Sequence, residues 1–575
     1  MLQIPYFTQN RLTKANCLVI KTLTKNQNYK AMPPLNHLSK TALTLALSQA
    51  IILPAQAATI IVNTNIDAPL GLAAQASTCS LRAAVESANT NTSIDGCSAG
   101  NGADSIDLTG INGTITLSDG ELVISSIVTV NGPGQNNLII SGNNSSRIFN
   151  VDSDGDATIE ALTLTGGSTI YSGGAINNSG VTTITDSTLS ANSAIVGGGG
   201  ISSLEGAISI TDSTLSGNSA FSGGAVYSEN STTTITNSVL SGNYVSPNTL
   251  SSNSYAQGGG IFSTGGHITI TNSTLSDNSA SLSGGAMKLD GGDTGATIII
   301  TNTTLSGNHA LYVGGVSISE NYGPTIIISN SRFIDNSTGY SGGAISASRS
   351  NIAISNSTFS DNYAGFGGAV EARFRANITI SNSTLTGNGA QLEGGGIRND
   401  GGTITISNST VSNNSARDNG GGIYSRAANT TITSSIITGN FSSIGSELYS
   451  NSRFGSDTLS LSNSVLGNSA VSDSDAFFGV SPNSTNVIAT SDQLNIPLSN
   501  IIDPLADNGG PTLTHALPAG SPALDAASNC PVTDQRGEPR DDDDSFFVPI
   551  VAANGNIATI SLGGRFCDIG AVEIK

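Results

Sequence analysis

One phrase dominates the chain. Residues 379–397 read TISNSTLTGNGAQLEGGGI, and near-copies recur between Thr158 and Asn468. Aligned on the Asn of the L-S-G-N step, they fall at Asn192, Asn218, Asn243, Asn278, Asn308, Asn336, Asn362, Asn388, Asn414, Asn440 and Asn468. Successive gaps are 26, 25, 35, 30, 28, 26, 26, 26, 26 and 28 residues. A degenerate copy, ATIEALTLTGG (Ala157–Gly167), precedes them. A near-constant period with scattered insertions defines a solenoid whose extra residues loop out from one face.

The phrase itself says which solenoid. In ITISNSTLTGN (Ile378–Asn388) the residues Ile378 and Ile380 share one strand face, with Thr379 on the other. Asn382 keeps that parity but Leu385 breaks it, so the chain bends between them; a second bend follows at Gly387-Asn388. GGGI (Gly394–Ile397) opens another short apolar strand. Each unit therefore holds two or three strands of 3–5 residues, with no helical period. One such unit cannot bury its own apolar stripe, but stacking does so, each strand pairing in parallel at ~4.8 Å. The fold expected is all-β: a right-handed parallel β-helix of about 11–12 coils with terminal caps. Ile, Leu and Val stack into inner columns. The recurrent Asn forms amide ladders between coils, as in cross-β stacks. The N-S-T sequons follow from the turn rather than from glycosylation.

Composition fits this reading. The chain has 68 Gly without a G-X-Y period, no Trp and 11% charged residues, which excludes collagen and argues against disorder. The domain division expected is 1–57 leader and signal peptide, 58–156 N-terminal cap and first coils, 157–475 repeats, and 476–575 C-terminal cap. Within the leader, MPPLNHLSK (Met32–Lys40) gives a short basic region, TALTLALSQAIILP an apolar one, and Ala55-Gln56-Ala57 a small-x-small cleavage site. Met32 is the start this pattern favours. Without residues 1–57 the charge becomes 15 basic against 41 acidic groups, or −26, because six basic residues and no acidic ones are lost. Such a surface repels nucleic acid and anionic membranes. No segment of the mature chain suits a transmembrane helix.

Cys79, Cys97, Cys530 and Cys567 remain after the leader, and four cysteines in an exported chain imply two disulfides with three possible connectivities. Loop closure favours Cys79–Cys97 and Cys530–Cys567.

The repeat S-x-L-S-G-N-x-A…GGAI resembles those of chlamydial polymorphic outer-membrane proteins and of pectin-lyase-like right-handed β-helix surface proteins. CSLRAAVESAN (Cys79–Asn89), with Cys97 and DSIDL (Asp104–Leu108), resembles the CSLREA-type N-terminal segment, with Ala83 where that motif usually has Glu. DPLADNGGPTLTHALPAGSPALDAA (Asp503–Ala527), TDQRGEPR (Thr533–Arg540) and CDIGAVE (Cys567–Glu573) resemble a choice-of-anchor Q domain. Both ends make physical sense as caps, since an open solenoid end exposes unpaired strand edges. LRAAVESAN reads as a short amphipathic helix over the first coil. Relatives of these types carry a sorting tail or a membrane barrel; this sequence stops at GAVEIK, and release or another mode of surface attachment is the expectation.

The chemistry is less legible. Asp186 and Asp212 stand in a row otherwise held by Asn237, Asn272, Asn302, Asn356, Asn382 and Asn408, one coil apart as a retaining glycosidase pair requires. Parity puts that row on the inward side of a turn, so they read as ladder variants. The residue after each GGAI reads Asn177, Ser202, Tyr227, Phe262, Lys288, Ser317, Ser346, Glu371, Arg398 and Tyr424, with Arg373, Arg375, Arg417 and Arg426 nearby. These side chains are expected to point outward. Glu371, Arg373, Arg398 and Tyr424 are thus the ligand-binding candidates for a sugar chain or a cell-surface protein, against the alternative of a merely solvated face. No catalytic residues emerge. Asp152, Asp154 and Asp156 in DSDGD, with Glu160, faintly match a calcium loop but lack its full pattern, and a turn accounts for them. No cofactor is expected, Ca2+ being the one ion with any candidate. DDDD (Asp541–Asp544) reads as a solvated run, and His37, His267, His309 and His515 show no ligand spacing. The function expected is an exported, extracellular or surface-associated structural and adhesin-like protein. The alternative is a polysaccharide lyase or glycoside hydrolase of the pectin-lyase-like group.

Overall fold

The isoleucine-rich segments ITI and their equivalents form a wall of parallel strands. In the computed structural model this wall holds 15 strands, from Thr59–Ile61 to Thr458–Ser462. The structure describes residues 57–575 apart from 72–76, 246–255, 291–295, 320–324, 452–457, 529–530, 541–546, 552–556, 562–565 and 573–575. The leader, the Met32 start, Cys530 and Asp541–Asp544 lie outside the described residues.

A second wall of 15 strands carries the T-L-S segments, from Gly113–Thr116 to Val487–Ile488, and a third of 14 strands begins after the paired glycines, from Leu122–Ile124 to Phe477–Phe478. We call these the isoleucine, leucine and glycine-led sheets. A fourth, short sheet of 10 strands, from Ser168–Thr169 to Ser415–Ala416, lies between the last two in chain order. The expected parallel β-helix is what forms, but with about 14 coils and a fourth sheet per coil in its central part. The extra coils come from residues 59–160, where Ile106, Val130 and Ile159 join the isoleucine column without the repeat's wording. At the spacing of paired strands the stack is roughly 65 Å long.

Columns of identical side chains fill the core. Ile354, Ile380 and Ile406 follow one another in register, as do Leu385 and Val411 beyond the stacked Phe333 and Phe359, whose centroids are 4.6 Å apart. All are buried, and each large side chain removed from water contributes about 1.5–3 kcal/mol. Glycine is required where coils nearly touch. A Cβ on Gly395 would lie 2.4 Å from the carbonyl oxygens of Gly421 and Ser415.

Two buried polar ladders hold the corners. Each Asn of the L-S-G-N step from Asn218 to Asn440 accepts, through Oδ1, from the backbone N–H and the side-chain amide of the Asn one coil earlier. Asn308 Oδ1 thus lies 3.0 Å from both Asn278 nitrogens. Its own amide donates to Leu275 O and to Asn336 Oδ1, both at 2.9 Å. The chain of amides runs unbroken from Asn192 to Asn440. The second ladder, of hydroxyls, is not apparent from sequence. Ser383 Oγ donates to Ser381 O (2.7 Å) and accepts from Ser357 N–H (3.2 Å), a pattern repeated along the rod.

Ser80 starts the expected helix, α1 (Leu81–Thr90), accepting through Oγ from Ala83 N–H at 3.2 Å. A Glu at position 83 would complete a reciprocal capping box; Ala83 leaves half of one. Leu81, Ala84, Val85 and Ala88 join the core of the first coils, so α1 covers their open edge. Cys79 and Cys97 are bonded as expected. Cys567 is also in a disulfide; its expected partner Cys530 lies outside the described residues. Arg82 grips the buried Asp67 at 2.8 and 3.0 Å and donates to Gly120 O and Glu121 O. Replacing Arg82 by Ala leaves Asp67 buried and unpaired, and the N-terminal coils should lose about 3 kcal/mol or more, read as faster hydrogen exchange in residues 59–131.

The C-terminal segment, expected to cap the end, runs back along the outer face of the leucine sheet. Arg332 Nε donates to Pro511 O (3.1 Å), Thr512 Oγ1 to Asn356 O (3.1 Å), and Asn382 Nδ2 to Thr533 O (3.0 Å). Gln535 accepts from Thr384 Oγ1 (2.7 Å) and lies 3.0 Å from Thr358 Oγ1. Ala571 N–H reaches Thr410 Oγ1 (3.3 Å). A second apolar cluster, including Ile436, Val465, Ile501, Leu517 and Ile569, glues the segment down.

His515 sits in this seam. Its Nδ1 is 2.7 Å from Asp503 O, and its Nε2 is 3.0 and 3.1 Å from Ser412 and Thr386 hydroxyls. Burial holds its imidazole below the usual histidine range, against the pull of Asp503. The depressed value means the neutral ring is favoured in the fold, so its stabilisation is present above pH 6.5 and fades as pH falls. Acidification should therefore loosen residues 503–517 first, seen as hydrogen exchange that a His515→Gln variant does not share.

Candidate functional site

The residues after the paired glycines form one row along the glycine-led sheet. Glu371 is the strand partner of Arg398, Arg398 of Tyr424, Tyr424 of Tyr449, and Tyr449 of Phe478. Three of the four candidates, Glu371, Arg398 and Tyr424, thus stand on adjacent coils, with Arg373 at the rim. They do not face solvent freely as expected: relative exposure is 0% for Glu371, 5% for Arg398 and 2% for Tyr424. The reason lies in the neighbouring short sheet. Its strands here lengthen from two residues to Tyr363–Phe366 and Gly389–Glu393, and they bring Phe366 and Glu393 against the row.

Arg398 is the hub. Its guanidinium lies 2.8 Å from Glu371 Oε1, 3.1 Å from Glu393 Oε2 and 2.8 Å from Asp400 Oδ2. It stacks 4.7 Å from the Phe366 ring centroid and 5.7 Å from that of Tyr424. Arg426 pairs with Asp400 at 2.7 Å, and Arg373 Nε lies 4.0 Å from Glu371. Three guanidiniums and three carboxylates therefore balance. Burial pushes the Glu371 carboxyl up against the opposing pull of Arg398, Arg373 and a hydrogen bond from Ser346. Burial alone would lower Arg398, but Glu371, Asp400 and Glu393 hold it above its ordinary value, so it stays cationic. Asp400 is held low by Arg426 and Arg398 despite its partial burial.

Beyond the ions, Tyr424, Tyr449 and Phe478 pile face to face, with centroids 4.9 and 4.7 Å apart and planes within 9°. Tyr449 and Phe478 escape the sequence reading because SELYS and AFF lack the glycine lead that marks the row elsewhere. Burial raises the Tyr424 phenol, with Glu393 adding to the shift. The arrangement fastens five coils together through matched charge and stacked rings. Arg398→Ala should leave Glu371 uncompensated and cost about 3 kcal/mol or more. Arg398→Lys should not restore it, because one ammonium cannot fork between carboxylates and stack on rings. Thermal unfolding of both variants checks this.

Other sequence candidates are placed differently. Asp186 and Asp212 are exposed, not inward. Their φ angles of 48° and 49°, like the 45° of Asn382, are left-handed, and that turn swings the side chain outward against simple strand parity. The outer Asn residues form a looser surface ladder, as between Asn302 and Asn272 at 3.1 Å. Asp152 accepts from Asn150 Nδ2 at 3.0 Å, and Asp154 lies in an exposed turn before the strand that begins at Asp156. Among the described residues no three His, Cys, Asp or Glu side chains are placed to hold a metal ion. None of the described helices is long and apolar enough to cross a membrane.

Comparison with known families agrees with the geometry. Residues 241–409 match the right handed beta helix region, and residues 408–426 match the Chlamydia polymorphic membrane protein repeat. The chain is a right-handed β-helix repeat protein. No curated protein and no solved structure gives a significant match.

Proposed function

We propose that the protein is an exported, adhesin-like rod, surface-associated or released, that binds carbohydrate or cell-surface protein without catalysis. One observation carries this reading. Eleven consecutive strands of the isoleucine sheet, from Val181–Thr185 to Thr458–Ser462, stay in register and present thirty-three outward side chains. Seventeen are Thr and seven are Ser, and none is Asp, Glu, Lys or Arg, in a chain whose net charge is −20. A hydroxyl face cleared of charge adds no local repulsion of its own where it meets a cell surface. The likeness to the polymorphic membrane protein repeat supports surface display. In this reading the Cys79–Asn89 and Asp503–Glu573 segments are the CSLREA-type and choice-of-anchor Q-like modules of such proteins, and residues 1–57 are the export leader.

A glycan array and a cell-binding assay on the full chain test the proposal, with retention on one of the two expected. A lyase assay on anionic polysaccharides, with and without Ca2+, tests the competing enzyme reading. Unsaturated product from the wild type that disappears in a folded Arg398→Ala variant would overturn the non-catalytic assignment.

A further inference from the structure

The short sheet begins abruptly, at Ser168–Thr169, and among the described residues no strand pairs with it on the N-terminal side. The preceding coil turns tightly through Gly142–Arg147 instead, so the surface drops by a step. At that step lies an open groove of about 710 Å3, floored by Asn144–Arg147 and walled by Ile170, Tyr171 and Ile195. A second depression of about 430 Å3 adjoins it beneath α1, lined by Pro69, Leu70, Val85, Glu86, Asp119 and Val123. Glu121 lines both, so the two depressions adjoin at that side chain, and together they are called the trough.

Its lining is unlike the hydroxyl surface elsewhere. Ile170 and Tyr171 are 65% and 67% exposed, and an aromatic ring held open on a rigid coil is a stacking platform. Arg147 is immobilised. It donates to Glu121 Oε2, to Gly173 O (3.0 Å) and to Ser172 O (2.9 Å). Glu121 Oε1 has no hydrogen bond among the described residues, and the side chain is 35% exposed, so it presents a fixed acceptor to the trough. Asn144 adds an exposed amide, and Ser168 a hydroxyl. Arg82 is committed to the buried Asp67. The cations are thus tied, while Glu86 and Asp119 add negative charge.

We infer that this trough is a glycan-binding site for neutral or amino-sugar oligosaccharides. A pyranose has an apolar C–H face for Tyr171 and a rim of hydroxyls for Glu121, Asn144 and Ser168, which is the mixture of apolar wall and few fixed polar groups that small-ligand sites use. Polyuronates are disfavoured, because their carboxylates would meet Glu86, Asp119 and Glu121. A peptide would find no strand edge long enough to add to, since the exposed edge strand has two residues. The inference rests on the adhesin-like reading and gives it a place and a ligand class.

The test is calorimetric titration of the full chain with tetrasaccharides of a neutral hexose, an N-acetylhexosamine, a free amino sugar and a uronic acid. Binding is expected from at least one of the first three and not from the uronate. Tyr171→Ala and Glu121→Gln should each weaken it about tenfold or more, with Tyr312→Ala, an exposed ring on a distant coil, as the unaffected control. Tyr171 is exposed, so its loss leaves folding intact. Binding unchanged in both trough variants overturns the site and leaves the adhesin-like reading standing. Preference for the uronate overturns the ligand class. No binding to any of the four overturns the inference, and only if the full chain also fails to bind cells does the adhesin-like reading fall with it.

Discussion

Replacing Asn308 by Ala should destabilise the rod by about 2–6 kcal/mol and split its unfolding into two transitions. The substitution strips a partner from four buried groups at once. These are the Asn278 N–H and amide, both at 3.0 Å from the lost oxygen, and Leu275 O and Asn336 Oδ1, both at 2.9 Å from the lost nitrogen. Asn336 Oδ1 keeps the residue 308 backbone N–H at 3.2 Å and the Asn278 amide keeps Leu240 O at 2.9 Å, so the loss falls chiefly on the Asn278 N–H and one amide proton; each buried group left unsatisfied costs about 1–3 kcal/mol. In a repeat protein that loss falls on one nearest-neighbour interface rather than on the whole, so coils on either side part company. Denaturant melts followed by hydrogen exchange should show residues 163–280 and 330–470 protected with different midpoints. Asn302→Ala, on the exposed ladder, should cost only about 1 kcal/mol, chiefly for its left-handed backbone. Equal effects from the two substitutions would mean that the inner amides contribute no more than a surface turn.

The second large effect belongs to Glu447, where the amide ladder ends. It occupies the register position held by Gly422 one coil earlier. Its Oε2 takes the place of the next amide oxygen, 2.6 Å from Asn440 Nδ2 and 3.3 Å from Asn440 N. The residue is fully buried, and Oε1 has no partner among the described residues. Burial pushes its pKa from 4.5 up to about 8, although the Asn440 bonds pull the other way. The folded state therefore holds a proton that the unfolded chain releases. The stabilisation is complete below pH 4.5, declines as pH rises, and is gone above about 8. The change is on the order of 5 kcal/mol at 1.36 kcal/mol per pH unit. Glu447→Gln keeps the shape without the proton, so the stability difference between variant and wild type should widen from pH 5 to pH 9. Hydrogen exchange of residues 429–466 reads it locally, and a difference that stays constant with pH would show that the carboxyl is ionised throughout.

Sequence and structure agree on the apolar columns and the inner amides that repeat at the coil period, though not on the hydroxyl ladder. The Ile and Leu columns and the inner Asn ladder follow from spacing alone, because parallel stacking places each residue on its own copy, whereas the Cys79–Cys97 bond is the near-neighbour pairing that loop closure favours. The N-terminal coils hide because Val128 and Val130 serve the columns without the S-x-L-S-G-N words. The outward swing of Asp186 hides because strand parity ends at a left-handed residue, here with φ 48°. The burial of Glu371, Arg398 and Tyr424 depends on a lengthened strand at Gly389–Glu393, which no local pattern announces. The docking of Gln535 on Thr384 joins residues 151 apart in sequence, beyond the reach of any period.

That returning segment has a consequence for how such a molecule can change in length. Pro511, Gln535 and Ala571 hold strands that begin with Arg332, Thr384 and Thr410, so the segment works as a ruler laid against a fixed number of coils. Duplicating a coil between Arg332 and Thr410 would carry one set of anchors out of reach. Duplicating one upstream of Arg332 moves nothing that the ruler touches. Whole coils can therefore be added upstream of Arg332 without disturbing the ruler, while the part of the rod beneath it keeps its measure.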